Sequence, residues 1–130
     1  MKFKFDQKGI KQYNKLLERR VNEVKKKYIE ILSYNLYSLT PKATGAMASN
    51  YNICVNTIYH SWDPDKVTPS FSIPSFSLKD NVYITNDCPY LNYVNYGTNK
   101  QIAQNFLQAA IFKSKVELND YIKIIGERDY

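Results

Sequence analysis

Histidine is almost missing from this chain: His60 is the single copy in 130 residues. Glycine is scarce too, and Gly9, Gly45, Gly97 and Gly126 are each isolated. No glycine-rich loop is therefore present to cradle phosphates, which excludes phosphate-loop nucleotide chemistry. Cys54 and Cys88 are far apart, with no second cysteine or histidine at metal-ligand spacing near either. They read as two free thiols of a reducing compartment. No run approaches the roughly 18 consecutive apolar residues of a membrane-spanning helix. The start, Met1-Lys-Phe-Lys-Phe-Asp6, lacks the apolar stretch of a signal peptide. Synthesis in the cytoplasm, without a membrane partner, is the expectation.

The same scarcity removes the usual catalytic sets. His60 stands beside Trp62 and Asp63 with no serine or cysteine arranged as a nucleophile. Asp63 and Asp65 are spaced like the opening of a calcium loop, but Pro64 separates them and the downstream Asp, Gly and Glu are missing. Asp80 and Asp87 bracket a predicted strand, and nothing places them around a scissile bond. No catalytic residue, no cofactor and no metal site is expected, and the chain reads as a non-enzyme.

Acidic residues are sparse at one end. Residues 1–40 hold ten Lys/Arg against four Asp/Glu and carry the whole net charge of +6, because the other ninety hold eight of each. Such asymmetry suits either a nucleic-acid or acidic-protein partner or the solvated face of a long helix. What is plentiful is aromatic: twelve tyrosines and six phenylalanines in a chain 44% hydrophobic, these rings included, and 23% charged. That composition is globular rather than disordered, and the length suits one domain over residues 1–130.

Apolar residues at Ile10, Tyr13, Leu17, Val21, Val24, Tyr28, Ile31, Leu32, Leu36 and Leu39 step by threes and fours. The spacing predicts a long helix to about residue 39, stopped by Pro41 through its restriction of Thr40. Tyr51, Ile53, Val55 and Thr57 alternate with polar neighbours, which predicts a strand with one covered face. Residues 61–80, holding Pro64, Pro69 and Pro74, read as an extended loop or bulged hairpin, with Phe71, Ile73 and Phe76 able to form a short edge strand. Val82–Thr85 is a second strand run. Helical spacing resumes from about Gln101 through Ile102, Phe106, Leu107, Ala110, Ile111 and Leu118, with Asn99 a plausible N-cap. The fold class is α+β: a long N-terminal helix, an antiparallel sheet with a long loop or hairpin, and a C-terminal helix packed on the sheet.

Between the second strand and the last helix, Tyr90, Tyr93 and Tyr96 recur every third residue, which predicts a short helix ending at Gly97. Two readings of these rings stay open, a protein interface and a cap over the sheet, since both need an apolar ring body and a wet hydroxyl. The basic residues lie in a different segment from the tyrosines. Base-reading surfaces interleave the two, so specific nucleic-acid recognition is the alternative rather than the leading reading.

Two motifs sharpen this. Thr40-Pro-Lys-Ala-Thr-Gly-Ala-Met47 follows the long helix, and Val82-Tyr-Ile-Thr-Asn-Asp-Cys-Pro-Tyr-Leu-Asn-Tyr-Val-Asn-Tyr-Gly-Thr98 precedes Phe106-Leu-Gln-Ala-Ala110. In order and distance the chain resembles the small neck proteins of tailed bacteriophages, the head-tail joining or tail-completion family of the lambda-like siphophage type. The family commonly has aspartate where Ala43 stands and often glutamate where Asn95 stands.

The resemblance implies a virion subunit that forms a ring in the neck, between the portal-connector complex and the tail. Its partners would be copies of itself, portal or adaptor proteins, and tail-terminator or tail-tube proteins. DNA would pass nearby without sequence-specific binding. Pro41, Thr44 and Gly45 would shape the first turn, and Asn86, Pro89, Tyr90, Tyr93, Gly97 and Thr98 would set the second segment. A closed ring needs two complementary surfaces. The loop at 61–80, through Trp62, Phe71 and Phe76, is expected to reach a neighbour, and Lys25, Lys26 and Lys27 to point outward or meet an acidic neighbouring ring.

Overall fold

The computed structural model describes residues 7–70 and 72–128. Helix α1 spans Gln7–Leu39, α2 Ala46–Ser49, β1 Tyr51–Val55, β2 Val82–Asn86, α3 Leu91–Tyr96 and α4 Phe106–Arg128. The α+β expectation holds: a long N-terminal helix, a two-stranded antiparallel sheet and a C-terminal helix. No helix among the described residues is long and apolar enough to cross a membrane.

Helix α1 is about 50 Å long at 1.5 Å per residue. It ends where the sequence says it must. The Thr40 amide donates to the Leu36 carbonyl at 3.1 Å, and the Thr40 hydroxyl donates to the same oxygen. Lys42 then folds back, its Nζ donating to the carbonyls of Ser38 (3.0 Å) and Thr40 (3.1 Å), with the Tyr37 ring 4.6 Å beneath. A cation on the last carbonyls of a helix satisfies acceptors that have no intrahelical partner.

Helix α4 runs antiparallel to α1. Asn35 Nδ2 donates to Ser114 Oγ at 2.9 Å, and eight residues earlier on α1 the Lys27 ammonium lies 5.4 Å from the Tyr121 ring. Asn35 and Ser114 are fully buried at this seam, and the Ser114 hydroxyl donates to the Ala110 carbonyl (2.6 Å). A buried polar pair of this kind fixes the helix register. The nearest neighbour of α4 is thus α1 rather than the sheet. Toward the sheet, Leu107 and Ile111 of α4 and Leu32 and Leu36 of α1 face Tyr51 and Ile84 across a cleft of about 300 Å³.

In the sheet Ile53 pairs with Ile84 and Val55 with Val82. The first strand stops two residues short of the expected Thr57, because Asn56 takes a left-handed φ of 62°. Its amide donates to the Asn81 carbonyl (2.7 Å), while its side chain joins the Asn81 amide to the Asp80 carboxylate. That lattice closes the base of the 57–80 loop. The expected edge strand is not formed: the described residues of 72–76 carry no strand, and Phe71 lies outside the described residues. A second correction concerns α4, which starts at Phe106 rather than near Gln101, so Asn99 is not its N-cap.

Candidate functional site

The two motifs fold into one joint. Gly45 adopts φ 86°, and a Cβ there would stand 2.7 Å from the Val67 carbonyl oxygen, so only glycine lets the loop lie this close. The Thr44 hydroxyl accepts the Ala46 amide at 3.2 Å and starts α2, whose four residues are all buried. Asn50 follows, buried, and its amide reads the loop like a backbone strand. Nδ2 donates to the Ala46 (2.7 Å) and Asp63 (2.9 Å) carbonyls, and Oδ1 accepts the Asp63 amide at 3.0 Å.

From the other motif, Asn86 Nδ2 donates to the Met47 carbonyl at 2.7 Å while its Oδ1 accepts the Cys88 amide at 3.0 Å. One side chain thereby holds the first turn against the second. Behind it Met47, Cys88, Leu91 and Phe106 form a buried cluster, with Trp62, Val94 and Leu107 packed on it. Burial of these groups is the favourable term that closes the joint, at roughly 25 cal/mol per Å² of apolar surface. The Thr40 hydroxyl, already donating to Leu36, accepts from the Tyr51 hydroxyl at 2.8 Å. Burial pushes the Tyr51 phenol up to about 12.

The second motif ends in a device that the sequence does not announce. Asn95 of α3 is fully buried, and its Oδ1 accepts the Leu107 amide at 3.0 Å in the first turn of α4. The cap of α4 thus comes from another helix. The Asn95 and Val94 carbonyls accept the Asn105 and Gln104 amides, each at 3.0 Å. Gly97, at φ 80° and ψ 174°, makes the reversal possible: a Cβ would meet Ala103 N at 2.8 Å and Gln101 O at 2.9 Å. Thr98 and Gln101 close the turn (2.9 Å), and the Thr98 hydroxyl accepts the Lys100 amide at 3.2 Å.

What the joint shows to solvent is aromatic. Tyr93 and Tyr96 are 59% and 62% exposed, and Ile102, beyond Gly97, is 86% exposed. Tyr90 is turned partly inward, its ring 5.8 Å edge-on to Trp62, with burial raising its phenol above the usual tyrosine value. Pro89 is exposed in the turn that opens α3. Beside the tyrosines a cleft of about 310 Å³ is lined by both motifs, Pro41, Thr44, Gly45 and Met47 on one wall and Tyr90 and Val94 on the other.

The residues expected to reach a neighbour are placed differently. Trp62 packs on the chain's own buried cluster, so it is not a free wedge. Lys25 is turned onto the loop, its Nζ donating to the carbonyls of Ser77 (3.4 Å), Leu78 (3.5 Å) and Asp80 and lying 5.2 Å from the Phe76 ring. Lys27 rests on Tyr121, leaving Lys26 as the exposed member of the trio. The 61–80 loop is therefore strapped to its own chain at both ends.

Asp80 accepts the Ser77 amide at 2.7 Å, a bond that holds its carboxyl below the usual range together with the Asn56 amide. His60 Nδ1 meets Asp87 Oδ1 at 2.9 Å, the first cause of a lowered Asp87 carboxyl, and Asp87 Oδ2 accepts the Ser61 amide at 2.7 Å. This exposed pair latches the start of the loop to the end of β2. Among the described residues no three His, Cys, Asp or Glu side chains group as a metal site.

Sequence reasoning missed Asn50, Asn56 and Asn95. Their shared signal is thirteen asparagines in one chain, a residue whose amide imitates a peptide group. Comparison with family models, with curated proteins and with solved structures gives no match.

Proposed function

We propose that the chain is a structural subunit of a tailed-phage neck, forming a ring that joins the portal-connector complex to the tail. It acts there by shape and transforms no molecule. One observation carries this reading: the two motifs behind the resemblance, more than thirty residues apart, meet in a single joint through Asn86 and Met47. The motif glycines sit where only glycine fits, so the pattern follows from the needs of this joint.

The surface supports assembly. Tyr93, Tyr96 and Ile102 are exposed aromatic and apolar side chains of the kind a neighbour would cover.

The test is negative-stain imaging of particles made from the encoding genome with this reading frame interrupted. Filled capsids without tails, or tails with an unfinished end, are expected. Normal particles, or purified particles that lack the chain, would overturn the reading. A steep salt slope in duplex filter binding, with no higher-order assembly, would favour the nucleic-acid alternative.

A further inference from the structure

Helix α4 stops short of α1. The antiparallel pairing of Asn35 with Ser114 and Lys27 with Tyr121 puts residue 128 opposite about residue 20 of α1, since both helices rise equally per residue. The first turns of α1, to about residue 20, therefore have no helix beside them among the described residues, although residues 76–78 of the loop line a cleft with Lys15, Glu18, Arg19 and Asn22. Yet the apolar seam continues there: Tyr13, Leu16, Leu17 and Val21 are 61%, 42%, 40% and 50% exposed. Tyr13, Leu17 and Val21 follow one row at i, i+4 and i+8, in line with the face that meets α4 lower down.

We infer that this overhang is a docking site for an acidic amphipathic helix of another protein, stacked in line with α4. The occupant is a helix because the seam continues one already filled by a helix. It is acidic because Lys11, Lys15 and Arg19 stand along these turns against Glu18, a net of +2 from these four. Leu16 shares a cleft of about 320 Å³ with Gln12, Lys15 and Arg19, so cations border the apolar row where carboxylates of a docked helix would lie.

A second copy of the overhang would set these cations against their own copies. A nucleic-acid backbone would neutralise the cations but leave four apolar side chains in water. An amphipathic helix laid in a groove with its charged flank on the cations satisfies both features. The inference stands independently of the neck reading, and its test uses no virion.

The probe is a fluorescein-labelled designed helix of about three heptads, leucine at the core positions and glutamate on the flanks, with a lysine-flanked twin as control. Fluorescence anisotropy with the full chain should show the acidic probe binding about tenfold or more tighter than its twin. Leu17→Asp should weaken it by a similar factor with an unchanged circular dichroism spectrum. Lys15→Glu combined with Arg19→Glu should shift the preference toward the lysine twin. Equal or absent binding of both probes overturns the proposal. So does a duplex or an anionic vesicle captured through Leu17 in preference to the acidic helix, or a sedimenting dimer that Leu17→Asp dissolves. Probe binding without a neck defect would sink only the neck reading, and the converse only this one.

Discussion

The joint and the overhang are built on opposite terms. At the joint, Thr40–Asn50 and Asn86–Leu107 satisfy one another's backbone groups through buried side chains. Asn50 holds the loop at Asp63, Asn86 holds Met47, and Asn95 holds Leu107. In the overhang, residues 7–20 of α1 have no helix beside them among the described residues and leave Tyr13, Leu16 and Leu17 exposed. An isolated helical stretch that short is marginal by itself, and it persists here because α1 is nucleated and propagated from the packed half. One region closes on the chain itself, apart from the buried Ser49 Oγ and Asn95 Nδ2, and the other leaves its apolar row open.

The sharpest way to break the contrast is at Gly97. Its φ and ψ lie in a region open essentially to glycine, and the space for a Cβ is occupied by backbone on two sides. Gly97→Ala should cost about 3 kcal/mol in urea unfolding, strain and displacement of the 101–103 segment together. If the loss stays below about 0.5 kcal/mol, the range of an ordinary surface change, the joint is not the rigid unit described.

Asn95 offers the next test. Asn95→Ala removes the acceptor for the Leu107 amide and leaves a buried donor unpaired, an expected loss of about 2 kcal/mol. Hydrogen exchange at the Leu107 amide should quicken far more than at Ser114. Asn99→Ala, at the position that local pattern alone picks as the cap, should leave both stability and exchange unchanged within about 0.5 kcal/mol.

That pair of substitutions also measures what the sequence could tell. The long helix was legible because α1 is amphipathic by a local period and stopped by a local proline. The strands were legible from alternation and the short helix from its tyrosine spacing. The caps were not, because Asn95 acts across twelve residues, Asn50 across thirteen and Asn86 across thirty-nine. A local reading therefore began the last helix near Gln101, where helical spacing resumes, although the chain there turns between Thr98 and Gln101 and is then held at Gln104 and Asn105 by the carbonyls of α3. The same blindness assigned Trp62 and Lys25 to a neighbour. A tryptophan among prolines and a lysine on a helix carry no sign of the chain segment that returns to meet them.

The smallest effect is the most informative about the overhang. Leu17 and Leu36 occupy one helix, and their difference is only in what lies beside them: Leu36 is buried against the rest of the fold, Leu17 faces water. Leu36→Ala should cost roughly 3 kcal/mol, the transfer and cavity terms of a packed leucine. Leu17→Asp should stay within about 0.5 kcal/mol, because no cavity opens and no buried group loses its partner. A native leucine whose replacement by a charge leaves stability unmoved is retained for something other than folding. A loss comparable to Leu36→Ala would instead mean that the overhang is already packed within the chain, and the docking surface would vanish with it.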